Sequence, residues 1–271
     1  MSFLPGPSLL FCPADRPDRY DKAADRADAV ILDLEDAVAP ARRGFAREAL
    51  AAHPLDPART IVRVNATSSP EFAADLAALR RTAYRTVMVP KAEGAEGLDR
   101  LDGYNVIALC ETAAGIVAAR EIAAHPLVIA LMWGAEDLVA SLGGTSSRRA
   151  EGRYRDVARQ ARSMVLLAAA AAGVAAIDAV HLDIADLAGL ADEADDAAAS
   201  GFRAVACIHP GQVEVIRSAY RPSEARVEEA RALLEAAEGS DGVFRFRGRM
   251  IDGPLLAQAA ELVRRAGPRG T

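Results

Sequence analysis

Apolar residues recur along this 271-residue chain in short, nearly continuous runs at 9–12, 29–34, 60–65, 86–90, 105–111, 127–133, 179–183 and 204–208. Most of the intervals carry helical periodicity, at 41–52, 70–82, 115–124, 153–172 and 187–200. Strands that are apolar on both faces and alternate with helices predict a parallel sheet covered by helices. Eight such units close a (β/α)8 TIM barrel. A doubly wound open sheet competes, but it calls for a Gly-rich turn after the first strand. Pro13-Ala14-Asp15-Arg16-Pro17 stands there instead. Residues 1–220 are therefore expected to form the barrel. The longest interval between runs holds residues 141–155, rich in Gly, Ser and Arg, and reads as an extended loop over the functional end. Residues 221–271 remain as a C-terminal extension, with a charged helix at 223–237, a hairpin-like piece at 239–250 and a helix begun by Asp252-Gly253-Pro254. It either packs against the barrel or lids a neighbouring site.

In such a barrel the chemistry sits where strands end. The candidates are then Asp15 and Arg16, Asp33, Glu35 and Asp36, Arg63 and Asn65, Lys91 and Glu93, Glu111, Glu136 and Asp137, His181 and Asp183, and His209. Acids at the ends of buried strands are costly unless paired, hydrogen-bonded or metal-bound. Glu111 and Asp137 close adjacent strands and would repel each other without a cation between them. Two oxygen ligands with room for water and substrate suit Mg2+. Alternatively each acid serves a helix start. Arg63, flanked by Val62 and Val64, is shaped to hold a carboxylate or an enolate in two-pronged fashion, or to pair with a strand-end acid such as Glu35. Arg16, Arg19 and Lys22 follow the first strand, where they either hold phosphate or decorate a solvated helix start.

Composition narrows the class. With 51% hydrophobic and 26% charged residues the chain is globular, and its net charge of -6 leaves no basic footprint for nucleic acid. Cys12, Cys110 and Cys207 are odd in number and lack CxxC spacing, which argues against a disulfide framework or a zinc site. They read as small buried residues in a reducing compartment. Neither a signal peptide nor a membrane span is evident, so a cytoplasmic protein is expected.

Several segments together carry a resemblance. They are Phe11-Cys12-Pro13-Ala14-Asp15-Arg16-Pro17, Ile31-Leu32-Asp33-Leu34-Glu35-Asp36, Val62-Arg63-Val64-Asn65, Val89-Pro90-Lys91, Glu111-Thr112-Ala113, Gly134-Ala135-Glu136-Asp137-Leu138, Cys207-Ile208-His209-Pro210-Gly211-Gln212 and Met250-Ile251-Asp252-Gly253-Pro254. In this order they resemble the citrate lyase β-subunit-like branch of the HpcH/HpaI aldolase and citrate lyase superfamily, which includes malyl-CoA and citramalyl-CoA lyases. The resemblance implies a Mg2+-dependent carbon–carbon lyase acting on a β-hydroxyacyl-CoA thioester of the citramalyl, malyl or citryl type, with acetyl-CoA and a keto acid as products. It implies Mg2+ on Glu111 and Asp137, and Arg63 at the substrate carbonyl and carboxylate. Arg16 and Lys22 would lie near coenzyme A, and His209 and Pro210 along its pantetheine arm. Asp252 would enter a neighbouring subunit's site as acid/base in a homotrimer or hexamer. Glu35 and Asp36 would orient metal waters and Arg63. Two other enzymes fit less well: a citrate lyase β subunit acting on citryl held by an acyl carrier protein, and a metal-dependent aldolase of free pyruvate or oxaloacetate, for which Arg16 and Lys22 have no phosphates to hold. A non-enzymatic binding module would be expected to lack Arg63, Glu111, Asp137 or Asp252, and none is lacking.

Overall fold

A computed structural model describes residues 5–238 and 242–267. Eight parallel strands close into a barrel in sequence order: β1 (Ser8–Pro13), β2 (Ala29–Asp33), β3 (Thr60–Arg63), β4 (Thr86–Val89), β5 (Asn105–Cys110), β6 (Val128–Trp133), β7 (Ala175–Asp178) and β8 (Ala204–Cys207). Helices α1 (Tyr20–Arg26), α2 (Arg43–Ala52), α3 (Phe72–Leu79), α4 (Ala113–Ala123), α5 (Ala135–Ser141), α6 (Asp156–Ala172), α7 (Leu187–Ser200) and α8 (Val213–Tyr220) fill the connections, and only a 3-10 turn, Leu98–Leu101, follows β4. This is the TIM-barrel architecture that the strand–helix alternation predicts.

The seventh strand is displaced from its expected place at 179–183. Gly173 takes a left-handed φ of 72° and ends α6, and β7 begins two residues later, pairing Ala175 with Ala130. Asp178 looks like a break in the apolar run, yet it belongs to the strand. Its carboxylate accepts hydrogen bonds from the Trp133 indole (2.5 Å) and the Arg162 guanidinium (2.7 Å), so it is buried at no net polar loss. His181 and Asp183 therefore lie beyond the strand rather than at its end.

The barrel interior alternates along each strand with the pleat. Leu9, Ala29, Ile31, Ile61, Met88, Ile107, Leu109, Ala130, Met132, Ile177, Ala204 and Ala206 form its apolar core, with Phe11 against it. The cysteines at 12, 110 and 207 are buried and not joined in disulfides. None of the helices among the described residues is long and apolar enough to cross a membrane.

The chain divides into two compact units, residues 1–216 and 217–271. In the second, α9 (Glu224–Ala237) packs on α10 (Gly253–Ala266), and the antiparallel hairpin of β9 (Phe244–Phe246) and β10 (Arg249–Ile251) joins them. Of the hairpin-like piece expected at 239–250, residues 239–241 lie outside the described residues.

Candidate active site

The period of two that fills the barrel with Ala29 and Ile31, with Ile61, and with Ile107 and Leu109 places Asp33, Arg63 and Glu111 next on the same inward faces. Asp33 and Arg63 are also register partners across β2 and β3. The result is a two-pronged pair: Arg63 Nε donates to Asp33 Oδ1 (2.7 Å) and Nη2 to Oδ2 (2.6 Å). Asp33 is fully buried, and it also accepts from the backbone N–H groups of Glu35 (2.9 Å) and Ala37 (3.0 Å). The expected partner, Glu35, is secondary, with its Oε2 3.2 Å from Arg63 Nη1. Burial works against the Arg63 charge, but the charge and hydrogen bonds of Asp33, with Glu35 and Glu111 beyond, hold its pKa above the usual guanidinium value. The guanidinium also lies over the Phe11 ring, 4.9 Å from its centre.

Lys91 stands at the centre of the acids. Its Nζ donates to Glu35 Oε1 (2.5 Å) and Asp36 Oδ2 (3.3 Å), and lies 3.5 Å from Asp137 Oδ1 and 4.0 Å from Glu111 Oε1. Its backbone N–H donates to Glu111 Oε1 (3.1 Å). To do this Lys91 adopts a φ of 50°, a conformation that costs a residue with a Cβ about 1–2 kcal/mol. Burial opposes the ammonium charge, but Glu35, Glu111 and Asp36 outweigh it and raise the pKa. Burial lifts the Glu35 carboxyl despite Arg63 and Lys91. Half-buried Asp36 is also penalised by burial, yet Lys91 and Arg63 bring it below the usual range.

Glu111 is 3% exposed, and burial together with the neighbouring Asp137 pushes its pKa up to about 8. Space for its carboxylate comes from Gly134, where a Cβ would stand 2.8 Å from Oε2 and 2.9 Å from the Glu111 Cβ. Asp137 lies in the first turn of α5, which has no side-chain cap. Among the described residues, no three His, Cys, Asp or Glu side chains are grouped to hold a metal ion. Glu111 and Asp137 still offer two hard oxygen donors, one of them a buried acid whose charge a divalent cation would relieve, and this donor set fits Mg2+ with water and substrate completing it.

The structure therefore brings Glu35, Asp36, Arg63, Glu111 and Asp137 together. The other candidates stand elsewhere. Arg16 directs its fork to Asp18 (3.0 and 2.9 Å), and Lys22 is exposed on α1. His209 and Pro210 are exposed beyond β8, where His209 Nδ1 accepts from Gly211 N–H (3.1 Å) to cap a 3-10 turn. Asp252 belongs to the second unit and is the N-cap of α10, accepting from Leu255 N–H. Of the remaining strand-end residues, Asn65 binds Asp75 (2.8 Å), Glu136 accepts from Ser147 (2.5 Å), Glu93 and Asp183 are exposed, and His181 is buried with Nδ1 2.8 Å from Glu193. Two participants were underrated from sequence. Asp33 could have been found by extending the inward parity of Ala29 and Ile31, whereas the reach of Lys91 depends on a backbone turn that no spacing announces.

A closed parallel barrel with paired acids and cations gathered at its strand ends is an enzyme of the strand-end active-site type. Residues 7–210 match the family described as HpcH/HpaI aldolase/citrate lyase. The chain is 57% identical to a citrate lyase subunit beta-like protein of Mycobacterium tuberculosis over 262 residues, 97% of this chain and 96% of that one. It is 31% identical to the mitochondrial citramalyl-CoA lyase of Homo sapiens over 295 residues, 96% of this chain and 85% of that one. A crystal structure of CitE from Mycobacterium tuberculosis in complex with magnesium, acetoacetate and coenzyme A matches with a TM-score of 0.94 at 56% identity, covering 98% of this chain and 100% of that one. The chain belongs to the HpcH/HpaI aldolase/citrate lyase family, and it is a carbon–carbon lyase of the citrate lyase β-like kind.

Proposed function

We propose that this lyase cleaves a β-hydroxyacyl-CoA thioester between its α and β carbons, with Mg2+, to acetyl-CoA and a keto acid. Citramalyl-CoA is the first substrate to test, ahead of malyl-CoA and citryl-CoA. The observation that carries the reading is the convergence of Arg63, Lys91, Glu111 and Asp137 on one end of the barrel. The human relative's name and the magnesium and coenzyme A bound to the mycobacterial relative support it.

Glu111 and Asp137 would hold the Mg2+, which when bound supplies Lewis acidity toward the substrate's hydroxyl oxygen and neighbouring carboxylate. Arg63, locked by Asp33 in one orientation, faces the negative charge that collects on the thioester oxygen as the bond breaks. A charge held in place before the reaction needs no reorganisation during it. Glu35 and Asp36 keep Lys91 and Arg63 in position and accept hydrogen bonds from water or substrate at the rim. The reaction is an isomeric split: the hydroxyl proton passes to water, the Cα–Cβ bond breaks with its electron pair going to the thioester enolate, the β carbon becomes a keto carbon, and the α carbon gains a proton in return. Asp252, on the extension at 221–271 and supplied by a neighbouring copy in a homotrimer or hexamer, delivers that proton. Arg16 and Lys22 take the phosphates of coenzyme A, and His209 and Pro210 flank its pantetheine arm. The setting is cytoplasmic, which suits three buried cysteines outside any disulfide.

An assay of the purified protein on citramalyl-CoA, malyl-CoA and citryl-CoA, with Mg2+ and then with EDTA, tests the reading. Acetyl-CoA released from one of them and lost with EDTA supports it. Silence on all three overturns it and directs the search to citryl on an acyl carrier protein. Asp252→Asn is expected to lower kcat by about 10^2- to 10^4-fold with KM little changed, as for loss of a general acid. The asparagine can still cap α10, so normal turnover would leave residue 252 with the capping role alone.

A further inference from the structure

Among the described residues of the first unit, Lys91 is the only non-glycine residue with a positive φ. That conformation sends its Nζ to a point reached by four carboxylates, two following β2, one following β5 and one following β6. Two of them, Glu35 and Asp36, accept its hydrogen bonds, and Asp137 and Glu111 stand at 3.5 and 4.0 Å. The other oxygen of Glu35 points to the second fixed cation of the cluster, Arg63. Glu35 Oε2 is buried and has no hydrogen-bond partner, although Arg63 Nη1 is 3.2 Å away. The residue as a whole is 6% exposed. In two-metal enzymes the ions stand about 3.5–4 Å apart over shared carboxylates. An ammonium on a stem, 3.5 Å from an Asp137 oxygen and 4.0 Å from a Glu111 oxygen, puts a fixed positive charge beside the two carboxylates assigned to the ion. Unlike an ion it cannot exchange with solvent.

We propose that Lys91 is a positioning residue that stands in for a second metal ion: by keeping Glu35 and Asp36 to its ammonium, it limits this acid cluster to one divalent cation, on Glu111 and Asp137. The inference rests on the Mg2+ site of the proposed function. It gives Lys91 a role that does not require contact with substrate. The fixed charge neutralises the Glu35 side of the cluster, holds the Glu111 carboxylate through its own backbone N–H, and leaves the Asp137 side for an exchangeable ion.

Counting bound ions tests this without any assay of turnover. Mn2+ titration of the full chain, followed by the electron paramagnetic resonance of free Mn2+ and repeated with Mg2+ in a calorimeter, should give one ion per chain for the parent. Lys91→Met, uncharged and of similar length, should give two. Lys91→Gly, which the left-handed backbone accepts without strain, should also give two and guards against a folding failure of the methionine variant. Lys91→Arg keeps the charge and should return the count to one. One ion per chain in both Lys91→Met and Lys91→Gly overturns the inference and leaves the Mg2+ reading intact. No ion bound by the parent instead removes the Mg2+ site itself.

Discussion

Asp137→Ala is expected to lower kcat/KM by about a thousandfold or more and to remove detectable Mg2+ binding. The magnitude follows from the chemistry assigned to the ion: Lewis acidity is worth several kcal/mol of transition-state charge stabilisation, and each 1.36 kcal/mol is tenfold in rate. The substitution should leave the fold standing, because the Asp137 side chain is 40% exposed and caps nothing. Its helix-start role, a carboxylate in the first turn of α5, is worth only about 0.3–1 kcal/mol. The two roles therefore separate cleanly. Calorimetric Mg2+ titration, thermal melting and turnover on the same preparation would show lost metal binding, a nearly unchanged Tm and lost activity. Full activity with an unchanged Mg2+ isotherm would return Asp137 to the helix-start role.

Seven of the eight strands were legible because each apolar run ends at a turn, a proline or an acid, and the barrel closes on that count. The seventh was not, because the residues from Val174 to Val180 form one apolar stretch interrupted by Asp178. A carboxylate inside a strand is read as its boundary. The partners that make its burial tolerable, Arg162 and Trp133, lie 16 and 45 residues away in sequence and are visible only in three dimensions. The site shows the same division. Arg63, Glu111 and Asp137 could be picked out because strand ends are where barrels do chemistry. Arg63 pairs with Glu35 as expected, but its two-pronged partner is Asp33, to which the two-residue repeat through Ala29 and Ile31 points. Lys91 sits after Pro90 in irregular backbone, and its approach to four acids follows from one φ angle that neither periodicity nor composition encodes. Asp252 was legible as a helix start, since an Asp followed by Gly and Pro is an N-cap pattern.

The second large effect belongs to Arg63, and it is twofold. Arg63→Met leaves Asp33 fully buried with two backbone donors but no countercharge. Breaking a buried pair from one side costs about 3–5 kcal/mol, which for a chain of this size lowers Tm by roughly 10 °C. Activity is expected to fall as well, by on the order of 10^2-fold or more, since a preorganised donor at the developing charge is lost. Stability and catalysis can be separated by removing both partners. Asp33→Leu with Arg63→Met replaces the pair by apolar side chains, a change that is often neutral in stability, so Tm should recover most of its loss while kcat/KM stays low. Arg63→Lys adds a third reading: it keeps the charge but replaces the two-pronged grip on Asp33 by a single point contact, and should restore stability better than rate. Thermal melts and kcat/KM on these three variants decide the matter. If the double variant regained activity together with stability, Arg63 would be a structural partner of Asp33 and the charge on the thioester would have to be met by another group, with Lys91 the nearest cation to the same acids.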